Sequence, residues 1–417
     1  VSVATAGAAT SGLATSGLAT AGAASVAPHD GELAGIARGG LISLGGSVIA
    51  AVAGLVMVVV VGRTLGTSGA GLFFQTVAVV LILANVCELG ADTGLVRALP
   101  RLRALHHARD IRPTILAGVA PSVLASAAAA LGLWFAAPWL ADLLYDAETV
   151  AAGTSALRVA APFLLVAAPM VVVLAATRGL GSVVPVTAVS SVAIPVLRTV
   201  LLVVGATLFG TAGAVLGWAL PLAGGLVVAL VVCHRQVARA ESSQPAAPAA
   251  RGTGLLTGQF WRFTGPRGVS AALEIAIVWA DVLIVGIFRS PAEAGVYAVV
   301  SRFVTSGTMA EAAMRVAIAP RLSALLAVGD RRSAEDLSAA ATQWIIAASW
   351  PLFLLLALFA PVVLGVVGPG FATGAVALSV LAGAMMVSLA AGNVHTVLLM
   401  GGRSSWHLAN KAGALTL

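Results

Sequence analysis

VGIFRSPAEAGVY at residues 285–297 reads as a second copy of VGRTLGTSGAGLF at 61–73, an offset of 224 residues. The regions around these segments align without a gap: Arg262 falls on Arg38, Ala294-Gly295 on Ala70-Gly71, and Tyr297 on Phe73. After a shift of four residues, Pro320-Arg321-Leu322 repeats Pro100-Arg101-Leu102, and Ala324-Leu325 repeats Ala104-Leu105. Each copy is an arginine, a long apolar run, Val-Gly, a short turn, Ala-Gly-aromatic, a second apolar run and Pro-Arg-Leu. Two like halves imply two like lobes, and internal repetition in an apolar chain points to a transporter.

Composition agrees. The 417 residues are 59% hydrophobic and 9% charged, where a soluble domain carries about 25% charged residues. Apolar runs of roughly 18 or more residues recur, each able to cross a hydrocarbon core of about 30 Å. The expected fold is therefore an all-α membrane protein; a β-barrel would show short alternating segments instead. The net charge of +7 reads as topology before it reads as nucleic-acid binding, and no nucleic-acid partner is expected. Cys87 and Cys233 are isolated, in neither a metal nor a redox spacing.

Residues 1–33 are rich in Ala, Gly, Ser and Thr, with Ser11–Thr15 repeated as Ser16–Thr20. They lack a basic start and a continuous apolar core, so a disordered tail is expected rather than a cleaved leader. Ten spans follow, near 39–62, 69–90, 115–137, 157–176, 183–208, 212–233, 268–288, 294–319, 341–364 and 375–400, and the start of an eleventh lies after Gly401. The expected organisation is an N-lobe of six spans (34–233), a flexible cytoplasmic linker (234–262) and a C-lobe of four spans plus the start of a fifth (263–417). With the N-terminus inside, only Arg63, Arg158 and Arg289 fall outside, while the Arg97–Arg112 loop and the linker carry clusters of arginine on the inner side. That asymmetry predicts a multi-pass protein of the cell membrane with a cytoplasmic N-terminus. The repeat copies begin six spans apart, so both lobes insert in the same orientation.

Ionisable residues inside spans are costly, by about 2.5–3.5 kcal/mol on insertion scales, and normally face an interior cavity. In the seventh span Glu274 and Asp281 are seven residues apart, nearly on one helical face; their counterparts in the first copy are Ala50 and Met57. They read as a proton or cation site or a gate, or else as charges neutralised by a neighbouring arginine. In the eighth span Tyr297, Ser301, Thr305, Thr308 and Arg315 form one polar stripe, with Arg302 off it and Glu311 placed to pair with Arg315. Arg198 is the third arginine within a span. Arg198, Arg302 and Arg315 around a central cavity would suit an anionic cargo, because guanidinium grips phosphate bidentately; pairing with Glu274, Asp281 or Glu311 is the alternative. In the second span Gln75 is near the outer end, and Asn85, Glu88 and Asp92, followed by Arg97, form a candidate cytoplasmic gate or an interfacial ion-pair cluster. No ATP-binding loop, zinc-type cluster or nucleophile elbow occurs, so neither an enzyme nor a bound cofactor is expected, only proton or Na⁺ coupling.

Several segments resemble the polysaccharide-exporter family of lipid-linked oligosaccharide flippases (Wzx-type): Leu65-Gly66 to Gly71-Leu72-Phe73, then ELGADTGLVR at 88–97, then AGVYA at 294–298 with Ser301-Arg302, GPGF at 368–371 and LLMGGR at 398–403. The motifs are loose singly but arrive in that family's order, from Arg38 onward. Membership would place the chain in the multidrug/oligosaccharidyl-lipid/polysaccharide exporter superfamily, with two six-helix lobes around a central cavity that opens inward and then outward. The resemblance implies an undecaprenyl-diphosphate-linked oligosaccharide as cargo, with Arg198, Arg302 and Arg315 attracting the diphosphate and Glu274 and Asp281 coupling the ion. It implies polysaccharide polymerase and glycosyltransferases as pathway partners. It also implies at least twelve spans, so the second lobe is expected to be incomplete. The rival within the superfamily is a multidrug/cation antiporter. A membrane polymerase or glycosyltransferase would need a sizeable outer loop, and a non-transporting scaffold leaves the intramembrane charges unexplained.

Overall fold

Two glycines decide how the longest helices are cut. The computed structural model describes residues 30–243, 253–308 and 330–391, with positions 311, 314, 318, 322 and 325 between the last two segments. Helix α1 runs Asp30–Glu88; α6 (Val184–Val186) passes through a π-helical stretch, Thr187–Ala193, into α7, Ile194–Ser242. At about 1.5 Å per residue, α1 and α7 each far exceed a bilayer core. Gly66 (φ 67°, ψ −171°) interrupts α1, and Gly210 (φ 60°, ψ −143°) interrupts α7. Backbone of this kind is open essentially to glycine alone, so each helix is two limbs joined by a tight break. The π-helical stretch lies just before Pro195, whose missing N–H breaks the ordinary i→i−4 ladder.

The remaining elements are α2 (Ala91–Ala104), α3 (Ile111–Leu144), α4 (Val150–Ala160), α5 (Leu164–Gly179), α8 (Thr253–Phe288), α9 (Pro291–Ser306), α10 (Arg331–Leu358), α11 (Ala360–Val367) and α12 (Ala375–Ala390). Seven helical stretches among the described residues are long and apolar enough to cross a membrane. Two of them, 45–104 and 184–242, carry the breaks and are each long enough for two spans, and α9 is a further helix of 16 residues. The described residues thus form the expected all-α membrane protein of two repeated bundles.

Successive spans alternate between two ends. Arg63 Nε donates to the Val366 carbonyl at 2.9 Å, a Cβ at Gly370 would lie 3.1 Å from Thr67 Cγ2, and one at Gly69 would lie 3.5 Å from Thr211 Oγ1. The breaks at Gly66 and Gly210 and the 368–370 turn therefore share one end, which we call the glycine end. At the other, the arginine end, Arg103 donates to the Leu180 carbonyl at 2.5 Å and Arg112 Nε pairs with Glu241 Oε1 at 2.7 Å.

Helices overrun several expected boundaries. The 234–262 segment is helical through Ser242 and again from Thr253, because the Arg112–Glu241 pair anchors one side and buried Phe260 the other; residues 244–252 lie outside the described residues. Beyond the second span, α2 buries Leu95, Leu99 and Leu102 and exposes Arg97, Arg101 and Arg103. The fourth span begins at Val150, continued past Pro162 by a 3-10 turn. The ninth runs Arg331–Leu358, with the separate α11 after it. Of the tail assigned to 1–33, residues 30–33 belong to α1 and 1–29 lie outside the described residues, as does the start of an eleventh span.

Where the bundles meet at the glycine end, the repeat meets itself. A Cβ on Gly71 would overlap the Pro291 carbonyl, and a Cβ on Gly295 would overlap the Thr67 carbonyl. Both pairs, Gly71 with Gly295 and Thr67 with Pro291, are related by the 224-residue offset. Residue i touches j and the equivalent of j touches the equivalent of i, which is the logic of a two-fold interface. Only hydrogen at Cα lets the backbones approach this closely. Within α7 the limbs cross in a similar way, Gly205 against Gly213 and Gly217 against the Leu201 carbonyl.

Candidate functional site

A serine N-cap opens the second helix of the hairpin that holds the site. Ser290 Oγ accepts from the Glu293 N–H at 3.2 Å, Pro291 occupies the first helical turn, and Glu293 sits at that helix's positive end. α8 thus ends and α9 begins within three residues, and the two helices lie side by side. The hairpin brings together Trp279 and Asp281 of α8 with Tyr297 and Arg302 of α9. Tyr297 Oη donates to Asp281 Oδ2 at 3.0 Å, and the Val282 N–H donates to Asp281 Oδ1 at 2.7 Å, so both carboxylate oxygens are held. The Arg302 guanidinium carbon lies 3.9 Å from the Trp279 ring centroid, over the negative face of the indole. Arg302 is within electrostatic reach of Asp281, while its Nε is buried with no hydrogen-bond partner among the described residues.

Opposite charges thus face one another across the α8–α9 hairpin. Of the sequence candidates, Asp281, Tyr297 and Arg302 come together. Glu274, on the same helix, is exposed. Thr305 is exposed and returns its hydroxyl to the Ser301 carbonyl of its own helix at 2.7 Å. The polar stripe therefore splits: Tyr297 joins the cluster, and Thr305 and Thr308 cap carbonyls within α9 and the turn that follows it. Glu311 is half-buried, and Arg315 lies outside the described residues.

Arg198 is engaged elsewhere, within α7. Its Nε donates to the Trp218 carbonyl at 2.9 Å, and its guanidinium carbon lies 4.3 Å from that tryptophan's ring centroid. The next residue, Thr199, donates to the Ala53 carbonyl of α1 at 3.4 Å. The contacts of Arg198 tie the two limbs of α7 together. Arg198→Ala should therefore lower thermal stability by about 1.5–3 kcal/mol, the loss of a charged hydrogen bond, with transport per folded molecule unchanged. Melting of purified protein beside transport normalised to protein amount checks this. Unaltered melting with weakened cargo binding would instead make Arg198 a cargo contact.

At the arginine end, Leu89 (φ 53°) and Gly90 (φ 74°) form a left-handed break between α1 and α2, where Gly90 needs no Cβ. A Cβ on Gly90 would lie 2.6 Å from the Gly268 nitrogen of α8. Glu88 is the last residue of α1 and feels the charge of Asp92, which accepts from Thr93 Oγ1 at 3.2 Å. Asn85 Oδ1 is buried without a partner among the described residues. Arg97 lies over Phe263 of α8, 3.9 Å from the ring centroid. The candidate gate thus abuts the N-terminal half of α8, at Phe263 and Gly268. Sequence reasoning missed Trp218, Trp279 and Phe263, the aromatic seats of three arginines.

The overall path of the chain is shared with known transporters. Among solved structures it is similar to a multidrug resistance MATE family transporter of the MOP superfamily in an inward-facing conformation, at 14% identity over 89% of this chain and 86% of that one, TM-score 0.57. It is also similar to a eukaryotic MATE transporter, at 19% identity over 88% and 84%, TM-score 0.53. A third match is an outward-facing multidrug resistance MATE family transporter, at 16% identity over 90% and 84%, TM-score 0.52. The fold is that of the MATE transporters. No protein-family model and no curated protein sequence matches the chain. The structural relatives are transporters rather than enzymes, and in this chain the two bundles meet along the repeat at Gly71 and Gly295.

Proposed function

We propose that the protein is a cell-membrane exporter that moves a lipid-linked oligosaccharide from the inner to the outer leaflet by alternating access of its two bundles. The observation that supports this reading is Arg302: a guanidinium in a span, seated on Trp279, with a buried Nε donor left open for an acceptor such as a phosphate oxygen. The motif order from Arg38 to Arg403 supports the same cargo class, and polymerase and glycosyltransferases of a surface-polysaccharide pathway would be its partners. On this reading the N-terminus is cytoplasmic and the glycine end faces outward.

A second reading, a cation antiporter, draws on Asp281 with both oxygens fixed by Tyr297 and Val282, and multidrug transporters stand among the structural relatives. Both readings use Asp281 for proton or Na⁺ coupling. Proteoliposomes offered a lipid-linked oligosaccharide and a cationic dye side by side separate them. Translocation of the oligosaccharide, lost in Arg302→Gln, is the expected result; movement of the dye alone would put the antiporter in its place.

A further inference from the structure

Gln75 is fully buried in the second limb of α1, and neither its Nε2 nor its Oε1 has a hydrogen-bond partner among the described residues. Its neighbour Thr76 points elsewhere, sharing a 3.1 Å hydrogen bond with the buried Tyr145 hydroxyl of the first bundle. Gln75 instead faces α8: a Cβ on Gly286 would lie 2.6 Å from its Cδ and overlap its amide oxygen. The amide thus rests on a bare glycine backbone in the seam between the bundles. One turn toward the glycine end, the reciprocal Gly71–Gly295 contact closes that seam. An amide buried with both functions unmatched is costly, and cores normally avoid it. A group that is unmatched in one conformation and sits on the surface that must part in the other is placed to be matched there.

We propose that Gln75 is a cargo-binding residue of the transport path, hidden in this conformation by the Gly71–Gly295 seal and presented when the seam opens. Its ligand class is a hydroxyl, which accepts from Nε2 and donates to Oε1 at once; a sugar ring offers several. This identification of the ligand rests on the oligosaccharide reading above. The missing side chain at Gly286 is what lets the amide lie against α8.

The test uses the whole chain in proteoliposomes. In a background with Cys87→Ala and Cys233→Ala, Gln75→Cys is exposed to a membrane-impermeant maleimide on both faces, with and without Gly71→Ala to wedge the seam. Labelling should rise about tenfold with the wedge, while Thr76→Cys, directed at Tyr145, stays inert. Separately, Gln75→Leu should raise the KM for lipid-linked oligosaccharide about tenfold, with Gln75→Asn intermediate and movement of a cationic dye unaffected, since only a hydroxylated cargo uses both amide functions. A position 75 cysteine that never labels in a chain that moves oligosaccharide overturns the proposal alone. So does Gln75→Leu with the parent's KM. A parent chain that moves only the dye overturns the cargo reading, and with it the hydroxyl ligand.

Discussion

Asp281→Asn is expected to lower ion-driven transport by about 10–100-fold while leaving cargo binding at equilibrium near that of the parent. The substitution is nearly isosteric and keeps an oxygen for the Tyr297 hydroxyl, so the α8–α9 hairpin should persist. What disappears is the carboxylate charge within electrostatic reach of Arg302. An arginine in a span costs about 2.5–3.5 kcal/mol on insertion scales; an equilibrium displaced by all of that would change by roughly 70- to 400-fold, an upper bound on the loss because Asn still offers an oxygen. Tyr297→Phe should act in the same direction but more weakly, by about 1.5–3 kcal/mol, because it removes one hydrogen bond to the carboxylate and not the carboxylate. Combining Asp281→Asn with Arg302→Gln should restore membrane levels without restoring the response to a proton or Na⁺ gradient. Initial rates in proteoliposomes with and without each gradient provide the measurement. If Asp281→Asn retains the parent's gradient dependence, Asp281 is only the structural partner of Arg302.

That cluster was partly legible in the sequence, and the reason is geometric. Trp279 and Arg302 are equidistant from the turn at Ser290-Pro291, so a tight hairpin places them level. The N-cap at the turn, Ser290 accepting from the Glu293 N–H and followed by Pro291, is a local signal. A helical-face argument applied to α9 alone set Arg302 off the polar stripe, because it counted residues within one helix and ignored the partner helix. Glu274 and Asp281 show the converse: seven residues place them on one face, yet one is exposed and the other is held by Tyr297. Arg198 was legible as a costly charge but not as a tie within α7. Its partner is a backbone carbonyl at Trp218, and a carbonyl has no residue type for a sequence to display. The spans were readable from hydropathy, whereas the surface helix α2 was not: it follows a break at Leu89, where a residue other than glycine adopts a left-handed backbone.

The repeat carries the most exacting expectation. Because Gly71 meets the Pro291 carbonyl and Gly295 meets the Thr67 carbonyl, Gly71→Val and Gly295→Val should have nearly equal effects, although one lies in the second span and the other in the eighth. Each places branched carbon where two backbones touch, an overpacking of about 1–3 kcal/mol against the conformation in which the bundles meet at the glycine end. Each single variant should therefore shift the population toward the state open at that end and slow transport about tenfold, since the return step must rebuild the contact. The double variant decides the matter. Once the backbones are held apart by one side chain, the second meets less resistance, so the combined penalty should fall short of the sum by about 0.5–3 kcal/mol, the range for groups in direct contact. Gly217→Val, against the Leu201 carbonyl within α7, supplies the contrast: it should reduce folded protein, because that crossing belongs to a single bundle that has no reason to part. Distances between spin labels at the glycine end, taken for the parent, both single variants and the double, give the populations directly. Strict additivity, or a Gly71→Val variant whose bundles stay closed, would mean that the repeats do not meet at these two glycines in the working protein.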